Sequence, residues 1–122
     1  MMYKKLPEAE LEVMLVLWDT DGAENSDYIM EHLDKDWAKP TLLKLLSRLE
    51  ERGFVKCEKD GRFNMYTPIV EKEEYLQQET DGFFKKLHHS SLTSLVAALY
   101  DGDSITKDDL DELEAEYIRS AK

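Results

Sequence analysis

The chain has 122 residues, a formal net charge of -11, and 42% hydrophobic against 35% charged side chains, the balance of a highly ionised globular protein rather than a disordered one. No apolar run approaches the roughly 20 residues a membrane-spanning helix needs, and the first residues lead into acidic side chains instead of an export signal. Cys57 stands alone, which excludes an internal disulfide and a cysteine-rich metal site.

A cytoplasmic protein is expected, with no direct membrane binding, no cofactor and a structural role for the Cys57 thiol. The length suits one ordinary domain, or two small ones if the second completes its core with a partner chain. The charge is unevenly spread. Residues 37–62 carry seven basic and four acidic side chains, whereas residues 1–36 carry three and ten and residues 63–122 carry six and thirteen. The overall charge argues against a polyanionic partner, since phosphate binding is driven by Lys and Arg, but the central window reverses it.

Taken in chain order, Leu11, Met14, Leu15 and Trp18 fall at helical spacing and predict an amphipathic helix from about Pro7 to Asp19, stopped by Asp21-Gly22. A short extended piece at Ala23-Glu24 leads to Asn25 or Ser26 as N-cap of a second helix presenting Tyr28, Ile29 and Leu33. The third helix opens around Lys39-Pro40, carries the stripe Leu42, Leu45, Leu46 and Leu49, and closes at Gly53. The period then changes to two. Residues 54–59 and 63–67 read as strands, with Asp60-Gly61 as the hairpin signal. Pro68 ends the second strand, and residues 69–72 form a short joint without linker composition.

Everything beyond the joint reads as helix. Tyr75, Leu76, Phe83, Phe84 and Leu87 mark the fourth, and Leu92, Leu95, Val96, Leu99 and Tyr100 the fifth. The break at Asp101-Gly102-Asp103 precedes a sixth, with Thr106 and Asp109 as a capping box and Leu110, Leu113, Tyr117 and Ile118 on one side. The expected fold is mainly α with a small β-hairpin: a winged helix-turn-helix over residues 1–70 and a three-helix dimerisation arm over 71–122. Three short helices bury too little to stand alone, so their apolar faces are expected to meet a second copy more readily than to fold back on the wing. The expected interface residues are Leu76, Phe83, Leu92, Leu95, Val96, Leu99, Leu110, Leu113 and Tyr117.

With its leucines turned inward, the third helix offers Pro40, Lys44, Ser47 and Glu51 outward, flanked by Thr41, Leu43 and Arg48. Lys44 and Arg48 suit phosphates or guanine edges, Thr41 and Leu43 suit thymine methyls, and Lys39 and Ser47 complete the set expected to face DNA on this helix. Lys59 and Arg62 at the hairpin tip suit backbone or minor groove. A basic face is ordinary for any surface helix, but a charge-reversed window on a helix-then-hairpin layout favours double-stranded DNA as partner. Other chemistry is weak. The side chains of His88-His89 diverge, the acidic segment 108–116 matches no calcium loop, and no nucleophile constellation or phosphate loop is present, so an enzyme is not expected.

These residues resemble the penicillinase repressor (BlaI/MecI/CopY) family of winged-helix transcriptional regulators, over nearly the whole chain. The resemblance rests on residues Glu10 to Met14 followed by Trp18, on Trp37 ahead of Thr41, on residues Leu46 to Gly53, on Tyr66-Thr67-Pro68 and on Ser94-Leu95-Val96. It implies a homodimeric repressor on a dyad-symmetric operator, with helices four to six as the dimer arm. It also implies a membrane-bound sensor metalloprotease as partner, triggering cleavage in the fifth helix. The matching bond is Ala98-Leu99, where well-known members carry asparagine and phenylalanine. The C-terminal cysteines of the copper-responsive branch are missing. Helix three departs too, with Ala38-Lys39-Pro40-Thr41 in place of Ser-Pro-Lys-Thr and with Leu43 at a position polar in those members. The alternatives are an effector-binding regulator, or a winged-helix protein-interaction module that does not bind DNA.

Overall fold

The computed structural model describes residues 3–118 and divides the chain into two compact units between Glu79 and Thr80. The first holds α1 (Glu8–Trp18), α2 (Ser26–His32), α3 (Lys39–Glu51), β1 (Val55–Asp60), β2 (Phe63–Pro68) and the start of α4 (Lys72–His88). The second holds the end of α4, α5 (Leu92–Asp101), α6 (Lys107–Leu113) and a wider π-helical turn over Glu114–Ile118.

Local chemistry sets the element ends. Asn25 caps α2, its Oδ1 accepting from the Tyr28 N–H at 2.9 Å, which resolves the choice between Asn25 and Ser26. α3 begins on Ala38 with Pro40 in its first turn, and ends in a Schellman motif. There the Phe54 N–H reaches the Leu49 carbonyl at 2.9 Å and the Gly53 N–H reaches that of Glu50 at 3.1 Å, with Gly53 at φ +80. Only glycine takes that φ without strain, so α3 stops there and the chain turns into β1.

β1 and β2 pair antiparallel from Val55 opposite Pro68 to Asp60 opposite Phe63. The two-residue turn is therefore Gly61-Arg62, one residue later than the hairpin signal suggested, with Gly61 at φ +63. The extended piece expected at Ala23-Glu24 is a third rung: Glu24 exchanges both backbone hydrogen bonds with Tyr66, at 2.9 and 3.1 Å. It ties the α1–α2 connection to the wing.

The core of the first unit is Val13, Met14, Leu17, Ile29, Leu42, Leu45, Leu46, Leu49, Phe54 and Val55, closed by Leu6, Leu33, Tyr66, Val70 and Tyr75. α1 is rotated relative to the expected face. Glu10, Val13, Met14 and Leu17 point inward, Leu11 and Trp18 are half-buried and Leu15 is exposed. Tyr75 and Val70 belong to this core, so the fourth helix starts as part of the winged unit, and the boundary by contacts follows Glu79 instead of residue 70. The joint is correspondingly fixed, with the Trp18 Nε1–H donating to the Val70 carbonyl at 2.8 Å.

The second unit is built differently. Ser91 caps α5, and Thr106 with Asp109 completes the expected capping box on α6. Its helices expose Phe83, Leu87, Leu92, Leu99, Tyr100, Leu113, Tyr117 and Ile118, and among the described residues from 80 onward none is buried. Among the described residues, no helix is long and apolar enough to cross a membrane.

Candidate nucleic-acid interface

α3 has two faces. Leu42, Leu45, Leu46 and Leu49 are buried against α1, α2 and β1, which fixes the rotation of the helix, and Lys39, Pro40, Thr41, Leu43, Lys44, Ser47, Arg48 and Glu51 are all exposed on the rest of its circumference. The outward row inferred from the leucine stripe is thus the row the fold presents. Lys39 is partly committed: its Nζ lies 2.9 Å from Asp27 Oδ1 on α2, an exposed pair that tethers the helix start across the turn. Lys44 and Arg48 have no ion pair among the described residues.

The hairpin adds a second cationic place. Arg62 occupies the tip, its guanidinium 5.7 Å from the centre of the exposed Phe63 ring, a cation–π arrangement that holds the head group beside the strand end. Lys59 is exposed on β1 opposite Asn64. All eight residues expected to face DNA lie in the first unit, on α3 or the wing.

One pair that sequence reasoning missed steadies α3. Glu10 on α1 is 1% exposed, and its Oε1 lies 2.8 Å from Nε of Arg52, the residue that ends α3. The guanidinium N–H is not aimed at that oxygen, which accepts no well-formed hydrogen bond, so the attraction is chiefly coulombic in a poorly solvated place. The apolar stripe and this ion pair hold α3 by independent means. Nothing local in the sequence marks Glu10 as buried, because its partner is 42 positions away.

The phenols of the core are neutral. Burial pushes the Tyr75 and Tyr66 hydroxyls up from their ordinary value, and Cys57, directly across the ladder, adds to the effect on Tyr66. Tyr75 accepts the Leu6 N–H at 2.8 Å, so its hydroxyl is occupied structurally. Cys57 is half-buried across the ladder from Tyr66. His88 ends α4 with Nδ1 2.9 Å from Ser94 Oγ, and among the described residues no group of three His, Cys, Asp or Glu side chains is placed to hold a metal.

Three helices closed by a two-stranded wing, with the third helix exposing a cationic and small-residue row, define a winged helix-turn-helix protein. The comparisons with known proteins place it further. The profile of the penicillinase repressor family matches residues 6–119. The chain is 30% identical over 115 residues to the penicillinase repressor of Bacillus licheniformis, covering 90% of this chain and 89% of that protein. It is 28% identical over 110 residues to the methicillin resistance regulatory protein MecI of Staphylococcus aureus, covering 89% of each.

Among solved structures, the DNA-binding domain of the repressor BlaI is similar at a TM-score of 0.52 and 32% identity, over 61% of this chain and 94% of that domain. The monomeric form of Bacillus licheniformis BlaI in complex with the blaP half-operator matches at 0.52 and 30%, over 61% and 92%. The chain belongs to the penicillinase repressor family, whose members are transcriptional repressors and not enzymes.

Proposed function

We propose that two copies of this chain pair through the helical arm and repress transcription by occupying a dyad-symmetric operator, excluding polymerase from the promoter. The observation that carries the reading is the exposed row Lys39, Thr41, Leu43, Lys44, Ser47 and Arg48 on a helix whose rotation is fixed by four buried leucines. Such a row suits the major groove, with Lys44 and Arg48 on phosphates or guanine and Thr41 and Leu43 against thymine methyls. Lys59 and Arg62 take the flanking backbone or minor groove. Operator DNA as partner is supported by the BlaI relative bound to a half-operator.

The dimer is supported by the second unit, in which no described side chain is buried while Phe83, Leu92, Leu99, Leu113 and Tyr117 are exposed and Leu95, Val96 and Leu110 are only half-buried. Helices of this size do not hold together on so little burial, and a second copy supplies the missing surface. Leu76, exposed on α4 within the first unit, is assigned to the same proposed interface. On this reading the protein acts in the cytoplasm, where a bacterial operator lies.

Derepression by a membrane-bound sensor metalloprotease would act at Ala98-Leu99, inside α5. The Ala98 carbonyl accepts the Gly102 N–H at 3.1 Å and the Leu99 carbonyl the Ser104 N–H at 2.8 Å, so cleavage requires that turn to open first. Footprinting on the gene's own upstream region tests the core of the reading. Two protected half-sites related by a dyad, about one helical turn or a multiple apart, are expected. A single unpaired footprint, or none, would contradict it.

A further inference from the structure

Tyr3 is pinned against α4. The Tyr3 N–H donates to Gln78 Oε1 at 2.7 Å, the Tyr3 carbonyl accepts from Gln78 Nε2 at 2.6 Å, and the Tyr3 hydroxyl donates to the Glu74 carboxylate. Its ring also lies 6.0 Å from that of Phe54. Three residues on, Leu6 is buried and its N–H is held by the Tyr75 hydroxyl. Lys4 and Lys5 therefore project from a backbone anchored on both sides, so that less ordering entropy is lost when either side chain engages a ligand than from a loose terminal arm.

The two lysines are not equivalent. Lys4 and Tyr3 line a surface hollow of about 540 Å³ whose other walls are Arg48, Glu51 and Arg52 at the C-terminal end of α3. Lys5 is not part of that lining. Within the hollow, Arg52 is engaged by Glu10, whereas Lys4 and Arg48 have no ion pair among the described residues. Two unneutralised cations lining one hollow suit an oxyanion group, and the Glu51 carboxylate in the same lining opposes it.

We propose that this hollow receives a backbone phosphate of the DNA, with Lys4 as a contact outside the helix-turn-helix and wing. The inference rests on the repressor reading. It favours DNA over a small soluble oxyanion because the hollow is open to the surface and Arg48 belongs to the exposed row of α3. Lys4 then adds affinity for any sequence and no discrimination between sequences.

The test uses the full chain as wild type, Lys4→Ala, Lys4→Gln, Lys5→Ala and Glu51→Gln, each titrated with salt on operator and scrambled duplexes. Both Lys4 variants should weaken binding several-fold on both duplexes and make the slope of log K against log salt shallower by about 0.9. Lys5→Ala should change the slope by less than half as much, and Glu51→Gln should tighten binding. Wild-type slopes in the Lys4 variants, or equal effects of Lys4→Ala and Lys5→Ala, would overturn the contact while leaving the repressor reading intact. Wild-type protein that binds no duplex would overturn both. Inorganic phosphate at constant ionic strength should not compete with DNA; competition that disappears in Lys4→Ala would instead assign the hollow to a small anion.

Discussion

Removing Arg52 should damage the fold more than its place at the end of a surface helix suggests. Its guanidinium is the partner of Glu10, whose side chain is 1% exposed, while its own side chain keeps 30% exposure. Breaking a fully buried ion pair by deleting one member costs about 3–5 kcal/mol, because the remaining charge is left without compensation. Arg52 is partly solvated and the pair lacks an aligned hydrogen bond, so a smaller loss, about 2–3 kcal/mol, is expected for Arg52→Ala. Glu10→Leu combined with Arg52→Leu removes both charges together and should recover most of the loss, since apolar replacement of a buried pair is often neutral. Urea unfolding followed by circular dichroism compares the wild type with both variants at one protein concentration, so that the proposed pairing of chains contributes equally to each. A loss below about 0.5 kcal/mol for Arg52→Ala, or a double variant no better than the single one, would refute the reasoning.

Arg62→Ala should weaken binding to all duplexes and lower the salt slope, whereas Thr41→Ala and Leu43→Ala should change the ranking among operator variants; equal losses on every sequence for all three would dissolve that division. Leu95→Glu or Leu99→Glu places a carboxylate in the proposed apolar interface and should leave a monomer by sedimentation, while a persisting dimer would move the interface elsewhere. Stability should hold up to about pH 10 and fall above it, since Tyr66 and Tyr75 have raised folded-state values and their neutral forms are favoured by burial. Unfolded phenols ionise at about 10, so that contribution is complete below this pH and is lost as the pH climbs through the folded values. Tyr75→Phe should flatten the alkaline fall but cost about 1–3 kcal/mol at neutral pH, because the buried Leu6 N–H loses its acceptor; no loss at neutral pH would show that hydrogen bond to be dispensable.

Much of the architecture is legible in the residues because it is set locally. The leucine stripe of α3, Gly53 and the Thr106–Asp109 capping box each act within a few positions, and each appears where the pattern puts it; the hairpin turn is displaced by one residue. α1 is different. Leu11, Val13, Met14, Leu15, Val16, Leu17 and Trp18 are apolar nearly all round, so several helical faces fit the pattern, and the inward face includes a glutamate that patterning counts as polar. Only Arg52, brought close by the tertiary fold, makes that face tolerable. The contact boundary after Glu79 differs from the expected one after residue 70 for a similar reason, as composition changes at the joint but Tyr75 packs into the winged unit through its ring and hydroxyl. The anchoring of Tyr3 by Gln78 has no local signature at all, being a contact between side-chain amide and backbone 75 positions apart.

The most direct test of the repressor account is a salt-titrated binding measurement of the purified protein on its own upstream region against a scrambled duplex of equal length. The account predicts tighter binding to the upstream region, with affinity on both duplexes falling steeply as salt rises. Binding that ignores salt, or equal affinity for the two duplexes at every salt concentration, would contradict it.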